Sequence, residues 1–359
     1  MPPNIPFVES FFLTKKAGHI KSLDGLRGIA VLFVLLSHSS NAGLYFSPYL
    51  DFSNTGKIGV WLFFVLSSFL LSQQIIHAVK NQKDSIAFWQ RYFFKRFMRI
   101  YPLYLFALLV FWYGTTVGYD LEVVSLNSIW KHLLLLQGEN VLWTIAVEFK
   151  YYLASPFIIY LFSKTLKGDF FKIVSCIILF FAISLLAIHW FDLYRISLLR
   201  YLAIFLVGTF AAFVISFSEI NWFGKILFLL TRKLTVLVSA LFIILSIPSV
   251  FNYFFHFEIN IKSGIFYIPY AIAWGNILLY IVQVPSLLRR FFEWKLLRFL
   301  GIISYSLYLL HNPILLFFIT QKASLGGFTF YIFIGVSCLL STISYLLIER
   351  PLSRLRLNK

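Results

Sequence analysis

Charge is what this chain has least of. Only 13% of its 359 residues are Asp, Glu, Lys or Arg, and among these the acidic ones are the scarcer, 14 against 31. A soluble domain commonly carries about 25% charged residues. Here 60% of residues are hydrophobic, 20% are aromatic and the mean hydropathy is +0.84, which excludes an ordinary soluble fold. Cysteine is nearly missing. Cys176 and Cys338 fall in separate apolar runs, so neither a disulfide framework nor a metal site is indicated. No Pro- or Ser-rich linker divides the chain. This implies one membrane domain, 22–351, between a short N-terminal tail, 1–21, and a basic C-terminal tail, 352–359.

What is abundant is apolar length. Runs of roughly 17–25 residues suit the hydrocarbon thickness of a bilayer. They occur near 28–47, 58–79, 101–118, 142–163, 171–190, 197–217, 234–252, 264–284, 299–319 and 328–348. The expected fold class is therefore all-α, a polytopic transmembrane helix bundle of about ten spans. The first run starts late and lacks a small-residue cleavage pattern, so it is expected to act as a signal anchor. Connections are short except near 80–100 and 119–141, where "SLNSIWKHLLLLQ" has the pattern of an amphipathic interfacial helix.

Basic residues are retained on the cytoplasmic side of a membrane. With the N-terminus inside, the outer segments hold only Lys57, Lys131, Arg195, Arg200, Lys262 and Lys322, while nearly all other Lys and Arg fall inside, Lys15, Lys16, Arg356 and Lys359 among them. Both termini are expected to be cytoplasmic and the protein to be a multi-pass protein of the inner (plasma) membrane. The net charge of +17 is then a topology feature that also attracts anionic headgroups, and nucleic acid is not an expected partner.

Ionisable groups inside hydrocarbon cost several kcal/mol and mark function by default. Those within the runs are His38, Glu148, Lys150 and His311, with His77, His189 and Glu349 near run ends. From Arg27 to His38 the helical path turns back to within about 20° of one face and rises about 16 Å. Two readings stay open for each: Arg27 as topology anchor or ligand contact, His38 as interhelical hydrogen bond or base. In "LWTIAVEFKYYLASP", Thr144, Glu148, Tyr151 and Ser155 share one stripe. Ser304, Tyr308 and His311 share another in "GIISYSLYLLHNP". A mutual bundling contact between Glu148 and His311 is the plainer alternative to chemistry. Ser67, Ser68, Ser72 and Gln73 add polarity to the second run, where close helix packing is an equal reading. Arg91, Lys95, Arg96 and Arg99 recur at helical spacing before Pro102, either to hold a loop inside or to grip phosphate oxygens.

Taken together, "DGLRGIAVLFVLLSH", "GVWLFFVLSSFLLS", "KRFMRIYP", "LWTIAVEF", "GIISYSLYLLH" and the terminal "ERP" resemble the acyltransferase 3 family of integral-membrane O-acyltransferases, across residues 22–351. One departure is plain. The family's usual Ser-Gly-Phe is Ser67-Ser68-Phe69 here, which adds a hydroxymethyl at a site of tight packing. Many glycan-modifying relatives also carry an esterase-like periplasmic domain after the membrane part; without one, the chain is expected either to complete the transfer alone or to hand on to a separate periplasmic transferase.

The resemblance implies a cytoplasmic acyl-CoA donor, most simply acetyl-CoA, and an acceptor hydroxyl on a surface or lipid-linked carbohydrate such as O-antigen, lipopolysaccharide or exopolysaccharide. CoA is then a substrate, no cofactor is held permanently, and no metal motif is visible. Arg27, Lys95, Arg96, Arg99, Ser67, Trp143, Ser304 and Tyr308 are the expected substrate-binding residues. Thioester-to-alcohol transfer needs a base and a donor to the oxyanion. His38 is the expected general base or transient acyl acceptor, Glu148 its orienting or relay partner, and His311 the group on the outer or oxyanion side. A transporter or flippase also places ionisable residues at the midplane. Against it, Arg27 and His38 have no counterpart in the second half of the chain.

Overall fold

Hydrocarbon offers no hydrogen bonds, so each spanning segment must satisfy its own backbone, and a chain of this composition is driven to helices. The computed structural model describes residues 19–123, 125–191, 193–256, 267–320 and 326–355. Of the basic residues that define the topology reading, Lys15, Lys16, Lys262, Lys322, Arg356 and Lys359 lie outside these. Apart from one isolated bridge between Ser47 and Leu50, the described residues contain no β pairing.

In chain order the helices are α1 (Lys21–Asn41), α2 (Gly56–Lys80), α3 (Ile86–Thr116), α4 (Leu126–Leu133), α5 (Trp143–Tyr160), α6 (Phe170–Trp190), α7 (Leu198–Ser216), α8 (Asn221–Leu230) and α9 (Lys233–Leu245). They continue with α10 (Pro248–Phe255), α11 (Tyr267–Gln283), α12 (Leu287–Phe292), α13 (Lys295–Ile302), α14 (Ser304–Thr320) and α15 (Thr329–Ser344). By length and composition seven of the described helices can cross a membrane, or up to nine if each of two bent pairs is one span. The protein is a multi-pass membrane protein with an all-α fold.

The structure departs from the expected runs where backbone chemistry intervenes. Of the expected connection 80–100, residues 86–100 are the first half of α3, which at 31 residues continues through Pro102 and exceeds the bilayer core. The run 234–252 is broken after Leu245, where Pro248 opens α10. The run 299–319 bends by 74° between α13 and α14. The expected interfacial helix is α4, eight residues that bury Ser128, Ile129 and His132 and expose Leu126 and Trp130.

α2 is the hub, packing on α1, α5, α7 and α11. The first contact depends on glycine: a Cβ on Gly59 would stand 2.2 Å from the Ala30 carbonyl oxygen. Proline places a second device in α5. Pro156 lacks an N–H, which leaves the carbonyl of Tyr152 without its helical donor. The Tyr92 hydroxyl of α3 supplies one at 3.2 Å and also meets Ser155 Oγ at 2.9 Å. A breaker residue thus becomes a fixed crossing between α3 and α5.

Candidate active site

The bend at Ile303 delivers the first turn of α14 into the bundle, where Ser304 and Tyr305 join α1, α2, α3 and α5 around a cleft. The cleft and its opening to solvent together make up about 610 Å³ free of protein atoms. Its polar lining is Arg27, Ser67, Arg99, Thr144, Glu148, Tyr152, Ser304, Tyr305 and Tyr308, set among Val60, Phe63, Phe64, Ile100 and Ile145.

Glu148 is the most strongly held of these. Ser67 Oγ donates to its Oε1 at 2.6 Å, and the Tyr152 hydroxyl donates to the same oxygen at 2.5 Å. Arg27 and Arg99 face the same space, so carboxylate and guanidinium charges balance one another where water is scarce. Beyond them Tyr308 closes the lining. Its hydroxyl donates to the Val141 carbonyl at 3.0 Å and accepts from Thr144 Oγ1 at 3.0 Å.

One helical turn past Tyr308 stands the second polar cluster. His311 is fully buried, and its Nδ1 lies 2.7 Å from the Tyr308 carbonyl and 3.2 Å from that of Leu307. Carbonyl oxygens only accept, so Nδ1 carries the hydrogen and Nε2 of a neutral ring carries the lone pair. That lone pair meets Nδ1 of His38 at 3.1 Å. His38 must therefore donate from Nδ1, and the lone pair the dyad still offers is on His38 Nε2. Asn312 stands alongside, tied through Nδ2 to Asn140 Oδ1 at 2.8 Å.

Two sequence expectations are corrected here. Glu148 is not the partner of His38, nor does it bond His311; its bonds go to Ser67 and Tyr152, and the ring beside His38 is His311. The expected stripe on α5 is also rotated. Thr144 and Glu148 do line the cleft, but Tyr151 turns to Thr209 of α7 at 2.5 Å and Ser155 to Tyr92, while Tyr152 takes the place beside Glu148. Helical period alone centres the stripe, and the neighbours on both flanks decide which edge of it faces inward.

The basic run of α3 divides by direction. Arg99 lines the cleft, whereas Lys95 and Arg91 are exposed and stand outside the lining. Arg96 is committed elsewhere, donating to Gln74 Oε1 at 2.8 Å with its guanidinium 5.7 Å from each of the Tyr92 and Tyr152 ring centres. Trp143 lies beneath the Arg195 guanidinium at 5.3 Å and against Tyr201, outside the lining. The extra hydroxymethyl of Ser68 is absorbed by a glycine. Ser68 Oγ bonds the Phe64 and Val65 carbonyls of its own helix, and a Cβ on Gly208 of α7 would stand 2.1 Å from it. Tyr152, Tyr305 and Asn140 are site residues that the sequence patterns do not single out. Tyr152 had a readable mark, its i+4 spacing from Glu148, but the other two depend on the tertiary fold. Among the described residues no group of three or more His, Cys, Asp or Glu could hold a metal ion.

Comparison with known proteins matches residues 20–349 to a family described as an acyltransferase domain. The O-acetyltransferase OatA of Staphylococcus aureus is 26% identical over 94% of this chain, and the peptidoglycan O-acetyltransferase OatA of Listeria monocytogenes is 24% identical over 83%. The chain spans 57% and 49% of the lengths of these two relatives. No solved structure matches.

Proposed function

Because the chain belongs to the acyltransferase 3 family, we propose that it is a membrane-embedded O-acyltransferase that moves an acetyl group from cytoplasmic acetyl-CoA to a hydroxyl of a cell-wall carbohydrate. The observation that carries this reading is the His38–His311 dyad, 3.1 Å apart, with its tautomers set by the Tyr308 and Leu307 carbonyls. It is a base with a defined lone pair in an apolar bundle, one helical turn beyond Tyr308, which lines the guanidinium-bearing cleft. The relatives' names favour peptidoglycan over lipopolysaccharide, O-antigen or exopolysaccharide as the acceptor.

In this reading Arg27 and Arg99 bind the donor's phosphates, as guanidinium groups do bidentately. The pantetheine arm lies in the cleft along α1, whose rise from Arg27 to His38 is about 16 Å. The acceptor oxygen attacks the thioester carbon while its proton passes to His38 Nε2. His38 Nδ1–H stays on His311, which supports the imidazolium that forms. Collapse of the tetrahedral intermediate breaks the C–S bond, and the CoA sulfur takes the proton back from Nε2. The Ser304 hydroxyl lines the cleft and supplies a donor to the developing oxyanion, and Tyr308 would serve there only by giving up its bond to the Val141 carbonyl.

Ten spans with both termini cytoplasmic in the plasma membrane complete the proposal, the 17 residues of α11 being counted as one of them. The test is purified protein in nanodiscs with radiolabelled acetyl-CoA and a peptidoglycan fragment. Acceptor-dependent release of CoA with label on the glycan is expected. Binding without any CoA release would instead place the chain with transporters or flippases.

A further inference from the structure

Glu349 belongs to neither polar cluster, yet only 8% of its surface is exposed. It ends a π-helical turn, Tyr345–Glu349, that follows α15 and precedes Arg350 and Pro351. Pro351 has no N–H to give the carbonyl four residues earlier, and its ring crowds that position, so the helix widens here by one residue. The widened turn packs against α3, and the Glu349 carboxyl reaches the start of α14.

There it meets a helix end that has no cap of its own. The residue before α14 is Ile303, which has no side-chain acceptor, so the first amides of α14 need a partner from elsewhere. Ser306 gives Glu349 both its hydroxyl, at 2.9 Å, and its backbone N–H. A carboxylate at this point answers the open N–H and the positive end of the helix together. Arg99 and Arg27 lie within electrostatic reach of the same carboxylate, which balances its charge in the membrane. Ser306 is roughly 140–200° around α14 from Tyr308 and His311. The clasp therefore holds the helix from behind, and His38 meets it in front.

We propose that Glu349 is a positioning residue for acyl transfer, clasping the first turn of α14 so that His311 stays in register with His38. This rests on the dyad performing the chemistry. E349Q preserves shape and removes the charge. It should lower kcat about tenfold or more, as small displacements of a reacting group do, with KM for acetyl-CoA within about twofold. The loss should vanish in the background that lacks the dyad: H311A/E349Q should turn over within about twofold of H311A, because two changes acting through one element are not additive. Independently of activity, diethyl pyrocarbonate should modify His38 several-fold faster in E349Q than in the parent, as read by mass spectrometry. S306A removes one bond of the clasp and retains the carboxylate, so it should show the same pattern at smaller amplitude and serves if E349Q does not purify as a monodisperse protein. Losses that multiply with H311A, a rise in KM alone, or unchanged turnover with unchanged His38 labelling would each overturn the assignment. If the parent protein transfers nothing but the labelling difference stands, the acyltransferase reading fails and the register inference survives.

Discussion

The two polar clusters of this bundle are built on opposite electrostatic plans. The His38–His311 dyad is made of groups that can be neutral, bonded to each other and to backbone carbonyls. The cleft below Tyr308 gathers Arg27, Arg99 and Glu148, whose charges need one another in a low dielectric. A neutral pair is poised to accept a proton and return it, while a compensated set of ions is poised to exchange partners when an anion arrives. The proposed function puts chemistry at the first and donor recognition at the second, and substitutions in each should then leave different kinetic marks.

The largest effect belongs to the dyad. His38→Ala should lower kcat by 10²-fold or more, the usual contribution of a positioned acid–base group, with little change in KM. His38→Gln retains hydrogen bonding without a titrating nitrogen and should be nearly as impaired. CoA release by the purified variants checks both. A Gln variant near normal turnover would reduce the dyad to a packing contact and erase the contrast between the clusters.

Arg99→Ala probes the other plan and should raise KM for acetyl-CoA about tenfold while kcat is largely kept, the mark of lost donor binding. Arg99→Lys should recover part of this, since a point charge replaces a bidentate fork. Titration calorimetry with CoA checks it. Equal losses in kcat would merge the two clusters into one functional unit.

How much of this division was readable beforehand depends on range. The all-helical, membrane-spanning fold follows from composition and run length. The shared face of Ser304, Tyr308 and His311 follows from helical period, because both are local properties. That His38 pairs with His311 and not with Glu148 was not readable, since period fixes which residues share a helix face and says nothing about which face of another helix arrives opposite. The bend at Ile303 was equally hidden. "GIISYS" contains no proline, and the break is held by distant partners: Glu349 on Ser306, and a contact in which a Cβ on Gly301 would stand 1.7 Å from the Asp24 carbonyl oxygen. Glu349 is legible as an ionisable group near a run end and as the first letter of "ERP", but its partner is not, because its reach to Ser306 depends on the π-helical turn before Pro351.

Gly208→Ala sharpens the comparison from the packing side. The new methyl would press on Ser68 Oγ at 2.1 Å and on the Val65 carbonyl at 2.2 Å, and so displace α2. Overpacking of this kind costs about 1–3 kcal/mol. Because α2 carries Ser67 to Glu148, while His38 and His311 sit on α1 and α14, the variant should lose thermal stability and show a modest rise in KM, with kcat the least altered. Thermal unfolding in detergent and steady-state kinetics check this. A fall in kcat with KM intact would mean that α2 supports the dyad more than the cleft.

The smallest effect is expected from Ser68→Gly, which restores the family's Ser-Gly-Phe. Ser68 is fully buried, but its hydroxyl bonds only carbonyls of its own helix, so no partner on another helix is orphaned when it goes. The change should cost under about 1 kcal/mol, mainly glycine's backbone entropy, and leave kcat and KM within about twofold. Its use is in combination. Of the two contacts that a Cβ at 208 would make too closely, Ser68→Gly removes the hydroxyl and leaves the Val65 carbonyl, which is backbone and cannot rotate away. The double variant should therefore regain about half, not all, of the stability lost by Gly208→Ala. Full recovery would show that α2 and α7 slide apart at little cost, in which case the Ser67–Glu148 bond, and with it the cleft's fixed half of the contrast, owes its geometry to side-chain bonds alone.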